Sequence, residues 1–394
     1  MPGFSPDSFW LLLAAVGEWG SFRRFEWGGG RVKVRATLGL AVAGIAIAGW
    51  PVRSPAGDLE LSSAAVRVLL YAGQGVVQVQ RSAQSAMRVT FDPHGLRADG
   101  RLVGKHLRLE EGSPFGLFGK RYRGALEFVQ RDSDFAVVNV VGLEEYVAGL
   151  LLREVYPGWD SEVLRAQAVV ARTYALYQMR RHHGALYHLA SGPYSQVYGG
   201  VDAEAPQAWR AVRDTQGEYL VYQGKPILAA YHSSSGGRTA SAEEVWGEAV
   251  PYLVSVEVSD EEVSPDTYWR AVISGEELGR VLAAEGLTVG PVQEIEVVER
   301  SLSGRAQLVR IRGARGERQL AARELRRVLG TGRMKSTYFV VRHTGGDFAF
   351  AGTGSGHGVG MSQWGAQTLA LQGATYQRIL QRFYPGTRIQ KLES

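Results

Sequence analysis

Short runs of alternating apolar and polar residues dominate the chain after residue 65, and they predict β-strands. Each run buries one face in the pattern typical of a strand, and Gly, Asp or Pro separates it from the next. The predicted strands are Val66–Leu70, Gly75–Gln80, Met87–Phe91, Ala125–Val129 and Asp134–Val141. The first part of the chain is therefore predicted to be rich in strands.

Helical spacing replaces this alternation from residue 143 onward. Apolar residues recur every three or four positions over 143–155, which predicts a helix. A second helix is predicted from Asp160, a typical N-cap, to His183, just before Gly184. Its predicted inward stripe consists of Val163, Ala166, Val170, Tyr174 and Tyr177.

The remaining pattern mixes helices and strands. We predict a helix near 205–216, strands at 219–222 and 227–231, a second α/β lobe at about 256–345 and a helix running to Phe383. The predicted fold class is mixed α+β, with a strand-rich N-terminal part and a central helix. Residues 61–394 are expected to form one unit of sub-domains, preceded by a leader over 1–60.

The leader contains an uncharged apolar run over 37–50, preceded by Arg31, Lys33 and Arg35 and followed by small residues. Fourteen apolar residues are few for a membrane span, so this run indicates a secretory signal at about 31–56. We expect translation to begin near Val32. An uncleaved membrane anchor or a buried strand is the alternative. The predicted location is extracytoplasmic.

Net charge and cysteine content limit the partners and the metal sites that the chain can have. The chain of 394 residues has a net charge of +5, but six basic and three acidic residues in 1–56 contribute +3, which leaves +2 for the rest. So small an excess does not indicate a nucleic-acid partner. There are no cysteines, which excludes disulfides and thiolate metal sites.

Two stretches of opposite charge follow each other late in the chain. Residues 257–277 hold seven acids and one arginine, and residues 300–335 hold ten arginines and one lysine against two acids. Blocks of this kind are usually solvated or pair with each other. Contact of the arginines with an anionic glycan is the alternative.

Three polar stretches punctuated by glycine, at 153–175, 231–239 and 356–367, carry the candidate chemistry. Glycine lets the backbone approach a ligand closely. The flat aromatic side chains near them are Trp159, Tyr174, Tyr194, Tyr198, Trp246 and Trp364, and the planar donors are Gln167, Arg172, Gln196 and Gln363. Together these groups suit a polysaccharide, although each alone could pack in a core.

Glu154 lies where the first predicted helix ends, before a proline–glycine break. A carboxyl group held at such a turn beside aromatic rings can have a raised pKa and act as a general acid. The alternative is a structural ion pair with Arg153 or Arg172.

The chain resembles the SpoIID/LytB family, named for stage II sporulation protein D and an amidase-enhancer protein. The matching segments occur in family order from residue 65 to about 390, nearly the whole mature protein. They are Leu143–Tyr146, Arg153–Pro157, Ala166–Ala175, Tyr231–Thr239, Tyr252–Leu253, Ser301–Arg305 and Gly356–Gln367.

This resemblance implies a lytic transglycosylase that cleaves the bond between N-acetylmuramic acid (MurNAc) and N-acetylglucosamine (GlcNAc) in peptide-denuded peptidoglycan strands. The family's catalytic glutamate corresponds to Glu154, which would leave 1,6-anhydro-MurNAc ends. The resemblance and the residue chemistry together assign substrate contacts to Gln167, Arg172, Thr173, Tyr174, Gln196, Tyr198, His232, Ser233, Ser235, Gly236, Gly237, His357, Gly358, Ser362, Gln363 and Trp364.

Other functions are weaker matches. A non-catalytic module that stimulates an N-acetylmuramoyl-L-alanine amidase would use the same cleft, with that amidase as partner. A serine nucleophile in the loop after His232 lacks a Gly-x-Ser-x-Gly elbow. A zinc amidase or peptidase lacks His-Glu-x-x-His. We expect glycan strands as partner, no nucleic acid, and membrane contact only through an uncleaved leader.

No cofactor is expected. Some relatives hold zinc through His and Cys residues between the catalytic helix and the loop at 232. Here that region has His182, His183 and His188 but no Cys. Zinc bound by these three histidines is the alternative.

Overall fold

The computed structural model describes residues 65–82, 85–110, 112–192, 195–259, 264–265 and 267–393. The predicted leader and Tyr194 lie outside these ranges. Among the described residues, no helix has the length and apolar character needed to cross a membrane.

Among the described residues, the N-terminal part and the segment after α2 contribute eleven strands, which include the five that the alternating pattern predicts. They are β1 Val66–Gly73, β2 Val77–Ser82, β3 Ser85–Asp92, β4 Gly95–Ala98, β5 Arg101–Gly104, β6 His106–Glu110, β7 Phe115–Leu117, β8 Lys120–Tyr122, β9 Ala125–Gln130, β10 Phe135–Val141 and β11 Leu189–Ala190. They form a five-stranded sheet of order β11-β1-β10-β9-β6 and a six-stranded sheet of order β5-β4-β3-β2-β7-β8. Apolar side chains from both sheets share one core.

The described helices confirm the mixed α+β class. They are α1 Leu143–Glu154, α2 Ser161–Arg181, α3 Pro206–Asp214, α4 Ala242–Trp246, α5 Gly275–Ala284, α6 Ala322–Leu329, α7 Gln363–Leu371 and α8 Tyr376–Phe383, with a 3-10 helix at Gly200–Ala203. Asp160 caps α2 as predicted, because its side chain accepts a hydrogen bond from the Glu162 N–H at 2.8 Å.

The helix α2 is buried on more sides than its predicted stripe. Ala168, Ala171 and Leu176 pack into the core beneath the N-terminal sheets. Val163 and Val169 pack into a second core, formed mainly with the C-terminal part of the chain. The helix therefore lies between two cores and fixes the chain that enters it from α1.

The remaining strands are short or belong to the second lobe. They are β12 Glu218–Tyr222, β13 Lys225–Pro226, β14 Tyr231–His232, β15 Trp269–Ser274, β16 Val292–Arg300, β17 Ala306–Gly313, β18 Gly316–Ala321, β19 Phe339–Thr344, β20 Asp347–Gly352, β21 Met361–Ser362 and β22 Arg388–Lys391. The sheets β15-β20-β19 and β16-β17-β18 pack with α5 and α6 around a third core.

Two predicted elements are wrong. The expected strand at 227–231 pairs only at its end, where β14 lies parallel to β21. The expected single helix ending at Phe383 is two helices, because Gly373 has φ +87° between α7 and α8.

Several arginines of the arginine-rich stretch form ion pairs within the second lobe. Arg310 pairs with Glu296 at 2.7 Å and Arg312 with Glu294 at 2.8 Å. Both acids lie outside the predicted acidic block, whereas Arg333 pairs with Glu277 from that block at 2.7 Å. Four acids of the predicted acidic block, Asp260, Glu261, Glu262 and Asp266, lie outside the described residues.

Candidate functional site

Glu154 is the last residue of α1, and the chain becomes extended at Val155. Its carboxylate Oε1 accepts a hydrogen bond from the Val197 N–H at 2.8 Å. In the part of the chain that the structure describes, Glu154 makes no ion pair. Arg172 instead pairs with Glu144 at 2.6 Å, so the structural ion-pair alternative for Glu154 is wrong.

Several groups act on the pKa of the Glu154 carboxyl, and their net effect is to raise it. Burial is the largest cause, because it disfavours the charged form, while the Val197 N–H and the Tyr231 hydroxyl lower the pKa. The negative end of the α1 dipole also favours the protonated acid. Such a carboxyl keeps its proton to a higher pH than an exposed glutamate.

Tyr231 is the functional candidate that the sequence prediction missed. The parallel pairing of β14 with β21 places its buried hydroxyl beside the carboxyl of Glu154. Within the described residues, that hydroxyl makes no hydrogen bond of normal geometry. Burial raises the pKa of Tyr231, and the charge of Glu154 raises it further. The sequence hint was its position immediately before His232 in the polar loop.

Two glutamines that the sequence predicts as site residues lie near Glu154. In the described chain, their side-chain NH₂ groups have no hydrogen-bond partner. Gln196 accepts a hydrogen bond from the Tyr146 hydroxyl at 3.0 Å through Oε1. Gln167 accepts one from Gln363 Nε2 at 3.3 Å, and Gln363 also donates to the Glu154 carbonyl at 3.0 Å. In the described chain, Nε2 of both Gln167 and Gln196 has no partner. Buried donors without partners are rare and mark sites that take water or a ligand.

Three aromatic rings lie together next to Glu154. The ring centroids of Trp159 and Trp364 are 4.8 Å apart, and those of Tyr156 and Trp159 are 5.3 Å apart. The Tyr156 and Trp364 centroids are 5.7 Å apart, and all three side chains are partly exposed. The fold therefore unites the start of α7 with the link between α1 and α2 in an aromatic surface suited to sugar rings.

His232 and His357 form a neutral pair behind this surface, with ring centroids 5.6 Å apart. His232 Nδ1 donates to the Val359 carbonyl at 3.1 Å, and His357 Nδ1 accepts from the Val359 N–H at 3.0 Å. The Trp246 ring lies 5.7 Å from that of His357. His232 and His357 are predicted from the sequence to contact the same glycan, and in the structure their rings lie next to each other.

The histidine pair should make stability depend on pH. Burial, then the charge of Arg326, lowers the pKa of His357 from 6.5 to about 4. Because the unfolded chain binds this proton first as pH falls, the stabilisation is full above pH 6.5 and is lost as pH falls toward about 4. We expect this loss to be about 2 kcal/mol, less than the full pKa difference implies, since the ring is partly exposed.

Urea unfolding at several pH values would measure this loss. The His357→Gln variant should lose less stability than the wild type between neutral and acidic pH. An equal pH dependence in the two proteins would contradict the assignment.

The loop after His232 is built around a buried arginine. Arg305 donates to the Ser235 carbonyl at 2.7 Å, and its guanidinium lies 2.7 Å from where a Gly358 Cβ would stand. At Gly236, which has φ +72°, a Cβ would come within 2.8 Å of Thr353. Ser235 and Gly358 therefore contact other parts of the protein, and their predicted contacts with glycan are not supported. Gly237 is exposed, and its predicted contact with glycan stays a prediction.

Ser233 and Ser362 both form hydrogen bonds that hold the start of α7 in place. Ser362 is fully buried, and its hydroxyl accepts a hydrogen bond from the Gly365 N–H at 3.2 Å as the N-cap of that helix. The carbonyl of Ser233 accepts from the Trp364 N–H at 3.0 Å. Ser362 thus orients the helix that carries Trp364 and Gln363, and its predicted direct contact with glycan is not supported.

Three further predicted contacts are also inconsistent with the structure. The Arg172 side chain is completely buried and donates to both carboxylate oxygens of Glu144. Thr173 donates to the Val169 carbonyl at 2.6 Å, and Tyr198 donates to Asn139 Oδ1 at 3.0 Å. Arg172 and Thr173 use their polar groups to hold the helix α2 in place, and Tyr198 uses its hydroxyl to bond to β10. Tyr174 is partly exposed.

The histidines between α2 and the loop at 232 lie near one another, since His182 Nδ1 is 3.2 Å from the His188 carbonyl oxygen, but they do not converge on one point. His182 and His183 are exposed at the end of α2, and His188 Nδ1 accepts a hydrogen bond from the Arg67 N–H at 3.2 Å. The described part of the chain contains no group of three His, Cys, Asp or Glu side chains placed to hold a metal ion. The absence of a cofactor stays a prediction.

Comparison with known proteins gives two family matches. A model described as Stage II sporulation protein matches residues 131–222, which contain Glu154 and α2. A domain of unknown function matches residues 254–360.

Relatives are similar over more of the chain. A Stage II sporulation protein D of Bacillus amyloliquefaciens is 33% identical over 288 residues, covering 68% of this chain and 79% of the relative. An uncharacterized protein of Brachyspira hyodysenteriae is 34% identical, covering 70% and 74%. An amidase enhancer of Bacillus subtilis is 29% identical, covering 69% of this chain and 44% of its own length.

Proposed function

This chain belongs to the SpoIID family, and from that membership we propose that it is a lytic transglycosylase of peptidoglycan. The observation that carries the proposal is the Glu154 carboxyl, whose pKa is raised by burial and which accepts a hydrogen bond from Val197. The aromatic surface of Tyr156, Trp159 and Trp364 supplies ring faces for the sugars beside it. The proposed substrate is the peptide-denuded glycan strand, which places the protein outside the cytoplasmic membrane.

The reaction uses one carboxyl group twice. Neutral Glu154 protonates the glycosidic oxygen as the bond from the muramyl anomeric carbon breaks, and the GlcNAc leaves as an alcohol. The resulting carboxylate takes the proton of the muramyl 6-hydroxyl as that oxygen bonds to the anomeric carbon. The product is a 1,6-anhydro end, and the acid is restored.

The surroundings of Glu154 suit both halves of this cycle. Burial favours the protonated acid that begins the reaction, while the Val197 N–H and the Tyr231 hydroxyl stabilise the carboxylate formed midway. Ordinary glycoside hydrolysis uses two carboxyl groups. The proposed ring closure needs only the Glu154 carboxyl.

Tyr231 provides a test through its effect on that pKa. Because its hydroxyl lowers the pKa of Glu154, Tyr231→Phe should raise the pKa. Activity that needs the protonated acid falls as pH rises through this pKa. We therefore expect the alkaline limb of the kcat/KM profile to move to higher pH in the variant. Tyr376→Phe, which removes a hydroxyl bonded to Glu218 at 2.9 Å, is the matched control, and an identical shift in both variants would refute the role of Tyr231.

A second function is that of a glycan-binding stimulator of an N-acetylmuramoyl-L-alanine amidase. It is favoured by the similarity to the protein named amidase enhancer. The two functions are separated by incubating purified protein with denuded glycan strands and no amidase, followed by mass spectrometry. Anhydro ends support the transglycosylase, whereas intact strands together with stimulation of an added amidase support the enhancer.

A further inference from the structure

The outer face of the six-stranded sheet forms a groove of about 910 Å³ that the proposed reaction does not use. The inner face of the same strands is apolar and packed, with Val77, Val79 and Val89 fully buried or nearly so. The outer face alternates with it and presents Gln78 and Arg88 to solvent. Amide and guanidinium groups are planar donors suited to sugar hydroxyls.

Phe118 forms one wall of this groove and is unusually exposed for its size. Its side chain is 51% exposed, and its ring centroid lies 5.5 Å from that of Tyr71. Its backbone has φ +51°, in the left-handed region that a bulky residue rarely adopts. This conformation belongs to the two-residue turn Phe118–Gly119 that joins β7 to β8, in which both central residues have positive φ. The exposed aromatic face of Phe118 is a stacking surface for a sugar ring.

An excess of positive charge lies at the end of the groove. Arg121 pairs with Asp202 at 2.7 Å. The Lys120 side chain makes no hydrogen bond or ion pair in the described chain. Although the residue is exposed overall, desolvation and the nearby charge of Arg153 lower its pKa. Lys120, Arg121 and Arg153 are thus all close enough to Asp202 or to one another to interact electrostatically. Binding of an anion would relieve the repulsion between Lys120 and Arg153.

The cation cluster is connected to the site of Glu154 by one short segment. The Val197 N–H binds the Glu154 carboxylate, and Gly199 lies against Arg153, with 3.1 Å between its added Cβ and Arg153 Nε. Three residues later, Asp202 lines the groove. Five extended residues span at most roughly 18 Å, so a few linked sugar rings would reach from one site to the other.

We propose that this groove is a second glycan site, which holds a peptide-free stretch of the strand cleaved at Glu154. Phe118 stacks on a pyranose ring, and Lys120 and Arg88 bind the lactyl carboxylates that muramyl residues expose once their peptides are removed. The groove would thereby select denuded strands by their charge. The identity of the glycan rests on the proposed function.

Binding affinity tests the groove separately from cleavage. The affinity of peptide-free glycan strands would be measured by titration with the Glu154→Gln protein, so that no strand is cut. We expect Lys120→Gln and Arg88→Gln each to weaken binding about tenfold at low salt, by loss of a hydrogen bond to a charged group. Chitin oligomers of matched length, which lack the lactyl carboxylate, should bind equally to these variants and to their parent.

Two further variants complete the design. Phe118→Ala should weaken the binding of both the denuded strands and the chitin oligomers about fivefold, because stacking on the ring does not depend on charge. Arg101→Gln removes an exposed charge from β5, at the opposite edge of the same sheet, and should change nothing. Equal affinities in the Lys120, Arg88 and Arg101 variants would overturn the proposal. If the wild-type protein binds glycan strands through the groove but does not cleave them, the proposed transglycosylase activity is refuted and the groove is not.

Discussion

Glu154→Gln is expected to abolish the release of 1,6-anhydro-MurNAc products from denuded glycan strands. The amide matches the carboxyl in size and can still accept the Val197 N–H through its oxygen, so the fold should persist. It carries no acidic proton, and general acid–base assistance is worth about 10²–10⁴-fold. Mass spectrometry of the products over time would measure the loss.

The control for this substitution is Glu145→Gln, which changes an acid on the first turn of the same helix. It should cleave at the wild-type rate, and circular dichroism should show both variants folded. Undiminished cleavage by Glu154→Gln would remove the catalytic assignment. If the wild type itself released no anhydro product, the amidase-enhancer function would take its place.

Glu144→Ala is expected to lower the free energy of unfolding by about 3–5 kcal/mol, because it leaves a buried charge without its partner. The Arg172 side chain has no exposure to solvent and donates to both oxygens of Glu144. Glu144 also accepts a hydrogen bond from the Gly217 N–H at 3.1 Å, so its loss loosens three segments together. Urea denaturation with a fixed m-value would measure the change.

Glu145→Ala is the matched control, since it removes the neighbouring acid from the same helical turn. It should cost less than about 1 kcal/mol, because Glu145 is only partly buried and makes no ion pair in the described part of the chain. Equal losses in the two variants would show that the Glu144–Arg172 pair contributes nothing specific. This prediction concerns the fold and is independent of the proposed reaction.

Local pattern was sufficient for most elements of the fold. The strands near residues 66, 87, 125 and 135 and the helix boundary at Asp160 were predicted because alternation, helical spacing and capping are properties of neighbouring residues. The pattern failed at 227–230, where an apolar run is buried without strand pairing. Apolar residues are buried in loops as well as in strands, so the run alone could not distinguish the two.

Site residues were harder to predict than secondary structure, because the type of a residue does not determine the direction of its side chain. Arg172 and Tyr198 have the chemistry of glycan contacts, yet they use their polar groups inside the protein. Tyr231 was missed because its approach to Glu154 depends on the pairing of β14 with β21, two strands separated by about a third of the chain. No spacing within one segment contains that contact.

The sequence by itself determined the mixed α+β class, the family and the end of a helix at Glu154, since each follows from local spacing or from motifs in order. Only the tertiary structure decided the surroundings of that carboxyl: its burial, the Val197 N–H and the Tyr231 hydroxyl. The physical reason is that a pKa depends on solvent exclusion and on donors brought from distant segments. Those are properties of the packed chain.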